Sequence, residues 1–262
     1  MKKISKIYMS LLLMFLYVPI FVLIVFSFNT TKSRTVFEGF TFDWYIRLFQ
    51  NELILSSLWN TILISISAAT ISTILGTAAA IGINNMKKLP KAVVMNINNF
   101  PIINPEIVTG VSLMLLFVFF AARMNFNFGF GTLLIAHITF DVPYVILNVM
   151  PKFRQMNPNL YEAAQDLGCN SFKAFFKVVL PEIMPGIVSG FLMAFTFSLD
   201  DLIISYFTSG ATSQTLPITI YSMTRRKVSP EINALSTIIF LVVVIVLIVK
   251  NILENRHKEE RV

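Results

Sequence analysis

Three observations predict an all-α integral membrane protein with six membrane-crossing helices. First, 55% of the 262 residues are hydrophobic and only 13% carry charge, about half the share of roughly 25% in a soluble domain. Second, the apolar residues fall in charge-free runs at 7–28, 53–86, 107–122, 124–140, 183–199 and 232–249. About 20 apolar residues cross a bilayer core, so the expected helices span about 7–28, 57–84, 100–122, 130–150, 184–207 and 231–253. Third, Lys and Arg are unequally shared among the connections. With the N-terminus inside, Lys2, Lys3, Lys6, Lys87, Lys88, Lys91, Lys152, Arg154, Lys173, Lys177, Lys250, Arg256, Lys258 and Arg261 lie inside. Only Lys32, Arg34, Arg47, Arg123, Arg225, Arg226 and Lys227 lie outside. The positive-inside bias places both termini in the cytoplasm and explains the +7 net charge without a nucleic-acid partner.

The first run is longer than the apolar region of a secretory signal, about 7–15 residues, and lacks a small-x-small cleavage site; it reads as a retained helix. In the outside segment 29–56, Trp44, Tyr45, Leu48 and Phe49 have helical spacing and predict a short surface helix. Residues 85–99 read as a basic inside turn, 123–129 as a short outside loop and 208–230 as an outside loop. Ser229, Pro230 and Glu231 are a helix start: a capping hydroxyl, a proline in the first turn and an acid at the positive end of the helix dipole. In the second and fifth helices Gly76, Ala79, Ala80, Gly186 and Gly190 let neighbouring helices approach closely in lipid. The expected organisation is a first helix and outside loop over 1–56, a membrane core over 57–253 and a basic tail over 254–262. There is no low-complexity tract and no clear internal repeat.

One cysteine, Cys169, excludes an internal disulfide or a cysteine-rich metal centre. His137 and His257 are too few for a histidine-built one; His137, mid-span, reads as a hydrogen-bonded packing residue. No GxxxxGK[ST] phosphate loop is present.

The inside segment 157–181, NPNLYEAAQDLGCNSFKAFFKVVLP, predicts two short amphipathic helices. Asn157 caps the first and Pro158 opens it. Gly168 ends it in a left-handed turn, Asn170 or Ser171 caps the second, and Pro181 stops it. Phe172, Phe175, Phe176, Val179 and Leu180 give that second helix a large apolar surface: part packs on the protein's own helix ends, and the rest is either buried there too or meets a partner, since an exposed apolar patch marks a contact.

Four acids lie in or near the spans: Glu106, Asp141, Asp200 and Asp201. Each costs about 2.5–3.5 kcal/mol at a helix centre on insertion scales, so such residues face a cavity or pair with a partner. Counting about 1.5 Å per residue from the inside end places Asp200 and Asp201 toward the outer side, Asp141 near the middle and Glu106 nearer the inside. Tyr144, Phe197 and Tyr206 are close in sequence and offer aromatic faces to a cation. Asp141, two residues before Pro143, is also placed to serve backbone groups freed by a kink.

The hairpin resembles the signature loop of bacterial ABC importer permeases: Glu162, Ala163 and Ala164, then Gly168, then Leu180 and Pro181 fall at that family's spacing, with Val178 where isoleucine is more usual. FTFSLDDLIISYFTSG (195–210), TLPITIYSMTRRKVSPEINALSTI (215–238), FTFDWYIRLFQ (40–50) and PIINPEIVTGVSL (101–113) resemble the C-component permeases of spermidine/putrescine importers. The resemblance implies a type I, MetI-like permease of a bacterial cell membrane with no catalysis of its own, whose hairpin couples it to an ATPase. It implies a second, homologous permease, two copies of an ATP-binding subunit carrying ATP and magnesium, and an extracellular polyamine-binding protein. Another cationic or small solute carried by the same machinery, or a stand-alone secondary transporter, is the alternative expectation.

Overall fold

The computed structural model describes residues 2–31, 33, 36–157, 159–226, 230–241 and 244. Pro158, Lys227, Ser229, the tail with His257 and most of the expected sixth helix beyond Leu241 lie outside the described residues. Among those described, regular structure is helical apart from one antiparallel bridge between Asn29 and Phe40. Five helices are long and apolar enough to cross a membrane: Lys6–Phe26, Glu52–Asn84, Glu106–Met124, Phe130–Gln155 and Ser171–Asp200, with a shorter apolar helix at Pro230–Leu241.

The chain divides into two compact units. The first, Met1–Leu55 with Ile220–Val262, contains α1 (Lys2–Phe26) and the short helix α2 (Asp43–Gln50), which bears out the helical spacing of Trp44 and Leu48. Both of these side chains are buried. Asn29 is fully buried and organises the connection: its amide nitrogen donates to the Val36 carbonyl at 2.8 Å, and its side-chain oxygen accepts the Glu38 N–H. The Trp44 indole N–H donates to the Asn29 carbonyl at 2.6 Å. Phe28 stacks on Phe40 and meets Phe42 edge-on. Glu231, early in Pro230–Leu241, accepts a hydrogen bond from the Asn51 amide.

The second unit, Ser56–Thr219, holds most of α3 (Glu52–Asn84), then α4 (Lys88–Ile103), α5 (Glu106–Met124) and α6 (Phe130–Gln155). The hairpin helices α7 (Asn159–Asp166) and α8 (Ser171–Ala174) follow, then α9 (Leu180–Asp200), α10 (Ile203–Thr208) and the first turn of α11 (Leu216–Arg226). The centre is α6, with Val145, Ile146, Val149 and Met150 buried between Ala69 and Ala80 of α3 and Ile183 and Ala194 of α9.

Glycine makes this closeness possible. A Cβ at Gly76 would sit 2.7 Å from the Val145 side chain, one at Gly186 2.8 Å from the Asn148 carbonyl, and one at Gly190 3.2 Å from the Val145 Cα. In lipid, where burial alone drives little, such backbone contact supplies the packing energy. Gly186→Val is therefore expected to destabilise the unit by about 1–3 kcal/mol, measured as a lower thermal midpoint in detergent.

The structure corrects several element boundaries. The second long helix begins at Glu52 rather than 57, with the Asn51 side chain accepting the Ile54 N–H. Residues 85–99 are not a turn but mostly helix α4, and the helix expected over 100–122 breaks at Asn104–Pro105. Asn104 is extended (ψ 136°) because the ring of a following proline bars the α region. Pro181 does not stop the hairpin's second helix. It lies in the first turn of α9, and the segment before it, Phe175–Val179, widens into a π-helix that carries α8 into α9 without a break. A proline ring clashes with the carbonyl four residues back; the wider turn relieves that clash. The helix expected to run to 207 instead breaks at Asp201, whose ψ is 121°. The segment 208–230 is not wholly loop, since it contains α11.

Candidate functional site

Two places concentrate chemistry. The first is the hairpin. Asn157 accepts the Asn159 N–H with its side-chain oxygen at 3.0 Å, as expected of a cap. Gly168 has φ +86°, the left-handed conformation that glycine adopts without strain. Its N–H donates to the Gln165 carbonyl and that of Cys169 to the Ala164 carbonyl, the paired bonds of a Schellman ending. Asn170, rather than Ser171, caps the second helix, its side-chain oxygen accepting the Lys173 N–H at 2.8 Å.

The hairpin's two faces divide cleanly. Ala164, Ala174 and Val179 are buried, and Tyr161, Phe175 and Leu180 pack on the core beside Phe153 of α6 and Ile83 of α3. On the opposite face Leu167 is 87% exposed and Phe172 71% exposed, with the Phe176 ring tilted against that of Phe172 at 4.5 Å between centres. Glu162 and Ala163 are exposed and Pro181 lies at the exposed start of α9. Of the six expected coupling residues, Ala164 and Leu180 thus anchor the hairpin, Gly168 shapes it, and Glu162, Ala163 and Pro181 remain accessible.

The second place is a cleft of about 340 Å³, lined by Pro101 of α4, Glu106 and Thr109 of α5, Phe140 and Tyr144 of α6, Phe197 and Asp200 of α9, and the Asp201–Ile204 break. The expected separation in depth is corrected here: Glu106 and Asp200 face one space. The break at Pro105 starts α5 afresh at Glu106, and α10 packs on α5 where Gly110 lies against Ile203 and Ile204. Tyr144 and Phe197 meet at 4.6 Å between ring centres. A second, larger cleft of about 600 Å³, mostly apolar, shares Pro101, Thr109 and Phe140 with the first. Tyr206 does not line the acid cleft; it is exposed and lies edge-on to Phe207.

The adjacent acids have different surroundings. Asp200, at the C-terminal end of α9, is exposed. Asp201 caps α10: its carboxylate accepts the Ile204 N–H at 3.2 Å and the Ser205 N–H at 2.6 Å. Such a local side-chain bond competes with helix continuation, which accounts for the break. Sequence reasoning missed the support behind it. Fully buried His137 has Nδ1 2.5 Å from the Ser198 hydroxyl and Nε2 2.9 Å from the Ser205 hydroxyl, with Asp201 3.6 Å away. One ring therefore joins α9 before the break to α10 after it. The signal available beforehand was modest: serines three residues before and four after Asp201, and a mid-span histidine.

Replacing His137 with Leu removes the partner of the buried Ser198 hydroxyl and one of the two partners of Ser205, a loss of about 1–3 kcal/mol. The expected result is a lower thermal midpoint, partly restored by His137→Gln, whose amide again offers both donor and acceptor.

Asp141 is different again. It is fully buried on α6, and neither carboxylate oxygen has a hydrogen-bond partner among the described residues. The expected service to a proline kink is not seen: α6 continues through Pro143, and neither Asp141 oxygen bonds to described backbone.

Residues 72–258 match the family model described as binding-protein-dependent transport system inner membrane component. The chain is 38% identical to the putrescine transport system permease protein PotI of Escherichia coli strain K12, over 95% of its own length and 89% of the relative's. It is 34% identical to the spermidine/putrescine transport system permease protein PotC of the same strain, over 96% and 93%, and 33% identical to PotC of Haemophilus influenzae, over 95% and 96%. A solved bacterial alginate ABC transporter in complex with an alginate-bound periplasmic protein shares the fold. It has a TM-score of 0.71 and 18% identity over 95% of this chain and 93% of that one. The chain thus belongs to the binding-protein-dependent transport system inner membrane components, the permease subunits of ABC importers.

Proposed function

We propose that this chain is the permease through which an ATP-driven importer passes a polyamine of the spermidine or putrescine class. The observation that carries the reading is the cleft itself. Glu106 and Asp200 offer two carboxylates, and Tyr144 and Phe197 form an aromatic wall beside them. An ammonium group is held by a charge-assisted hydrogen bond to a carboxylate and by the face of an aromatic ring. The methylenes between ammonium groups need apolar lining, which the adjoining cleft supplies. Relatives at 33–38% identity that are named as putrescine and spermidine/putrescine permeases support this cargo.

In this reading both termini face the cytoplasm and the hairpin docks an ATP-binding subunit, present in two copies and holding ATP and magnesium. A second permease encloses the pathway, and a binding protein delivers the amine from outside. The exposed Leu167, Phe172 and Phe176 are the contact with the ATPase, and the permease performs no covalent chemistry. Closure of the ATPases moves α9, because the hairpin continues into it through the π-helical turn. The importer alternates between two states, each favoured by what binds it better.

The test is uptake by the whole assembly in proteoliposomes. Putrescine or spermidine should accumulate only with ATP, and each should compete with the other. Uptake that persists without the ATPase, or that favours an uncharged solute, overturns the reading.

A further inference from the structure

We infer that Asp141 is a second ammonium station of the pathway, shut in this conformation and reached only when the Tyr144–Phe197 contact at the cleft opens. The inference rests on the polyamine reading of the Glu106–Asp200 cleft and adds a residue outside that cleft. Three observations carry it. Asp141 is wholly buried within a membrane-spanning helix, yet both carboxylate oxygens lack a hydrogen-bond partner among the described residues. Every other acid of this region is accounted for: Glu106, Asp200 and Asp201 line the cleft, and Asp201 is already committed to the two N–H groups at the start of α10. Its neighbours on α6, Phe140 and Tyr144, both line the cleft, while Asp141 does not. On α6 it lies about 100° round the helix from Phe140 and about 60° from Tyr144, beside the cleft wall.

At the cleft the wall is a ring contact between Tyr144 of α6 and Phe197 of α9, beyond the close backbone packing of the two helices at Gly186 and Gly190, and α9 is the helix that the hairpin drives. A buried acid left without a partner signals a partner supplied in another state, since an uncompensated charge is costly and polar groups inside a span face a cavity or a cation. Spermidine carries a third ammonium group that two carboxylates leave unmatched; Asp141 matches it. The station is thus a specificity device, separating triamine from diamine.

Two experiments on the assembled transporter test this. The first compares uptake kinetics of Asp141→Asn with those of Asp200→Asn in proteoliposomes. Asp141→Asn is expected to raise the KM for spermidine about tenfold, one charge-assisted contact, to change the KM for putrescine far less, and to leave the thermal midpoint unlowered. Unchanged spermidine kinetics, with Asp200→Asn impaired, overturn the station and leave the cleft standing. An Asp200→Asn and a Glu106→Gln that both transport normally overturn the cleft itself.

The second experiment holds even if Asp141→Asn assembles poorly. Asp141→Cys, made with Cys169→Ser, is treated with a trimethylammonium methanethiosulfonate. Labelling should be absent without nucleotide, appear in the vanadate-trapped state, and slow with added spermidine. Absence of labelling in both states, or labelling that spermidine leaves unchanged, overturns the inference.

Discussion

Glu162→Lys is expected to abolish ATP-driven uptake while the permease still folds, inserts and accepts its companion permease. Glu162 is exposed in the first turn of α7, so its removal costs the fold little; surface substitutions usually shift stability by about 0.5 kcal/mol or less. Its value lies in what it faces. In the proposed assembly it stands at the rim of an apolar contact made by Leu167, Phe172 and Phe176, and rim charges fix register and partner choice. Reversing its sign sets like charges together where opposite ones met, a penalty of several kcal/mol, or more than about a hundredfold in docking. Gly168→Pro should give the same phenotype by another route. Proline cannot adopt φ +86° and removes the N–H that bonds to the Gln165 carbonyl, so the hairpin loses its shape while the buried anchors Ala164 and Ala174 stay. The measurements are ATP-dependent uptake, substrate-stimulated ATP hydrolysis and co-purification of the ATPase. Full uptake by either variant removes the hairpin from the coupling role.

The two sites differ in how far they were legible in the sequence. The hairpin's design is local: caps, a glycine turn and an apolar face all lie within 25 residues, and each acts on its neighbours. Asn157, Gly168 and Asn170 accordingly do in the structure what their chemistry predicts. The spans were legible for the same reason, since charge-free length is a property of consecutive residues. The prolines were harder. One proline starts a helix, another is absorbed inside one, and the difference depends on what the preceding turn can do: Pro105 forces a break, whereas Pro181 is absorbed by a widened turn. The acid cleft is non-local. Glu106 and Asp200 are 94 positions apart, and only the breaks at Asn104 and Asp201 bring them to one space. Counting rise along unbroken helices therefore separated residues that the fold unites. The adjacent acids looked alike in sequence; only the folded backbone shows that Asp201 is taken up by two N–H groups while Asp200 is free to face a solute.

That difference sets the second large effect. Asp200→Asn keeps the shape and removes the charge, so it should leave the thermal midpoint of the assembly nearly unchanged. It should raise the KM for putrescine and spermidine by roughly ten- to a hundredfold, the size of one or two charge-assisted hydrogen bonds to an ammonium group. Glu106→Gln should act in the same direction, and the double variant should do more than either alone, because a diamine needs both ends held. Asp201 should behave otherwise. The two oxygens of Asp201 each accept one N–H and Asn offers only one oxygen, so Asp201→Asn should lower the thermal midpoint while changing the KM little. Asp201→Ala should lower stability by about 0.5–2 kcal/mol and should damage transport through the shape of the α9–α10 break. Uptake kinetics and thermal unfolding on the same preparations separate the two roles. A large KM effect at Asp201→Asn with none at Asp200→Asn would invert the assignment: the acid that holds the backbone in this conformation would then be the one that meets the solute, and the Ile204 and Ser205 N–H groups would have to find another acceptor whenever the amine arrives.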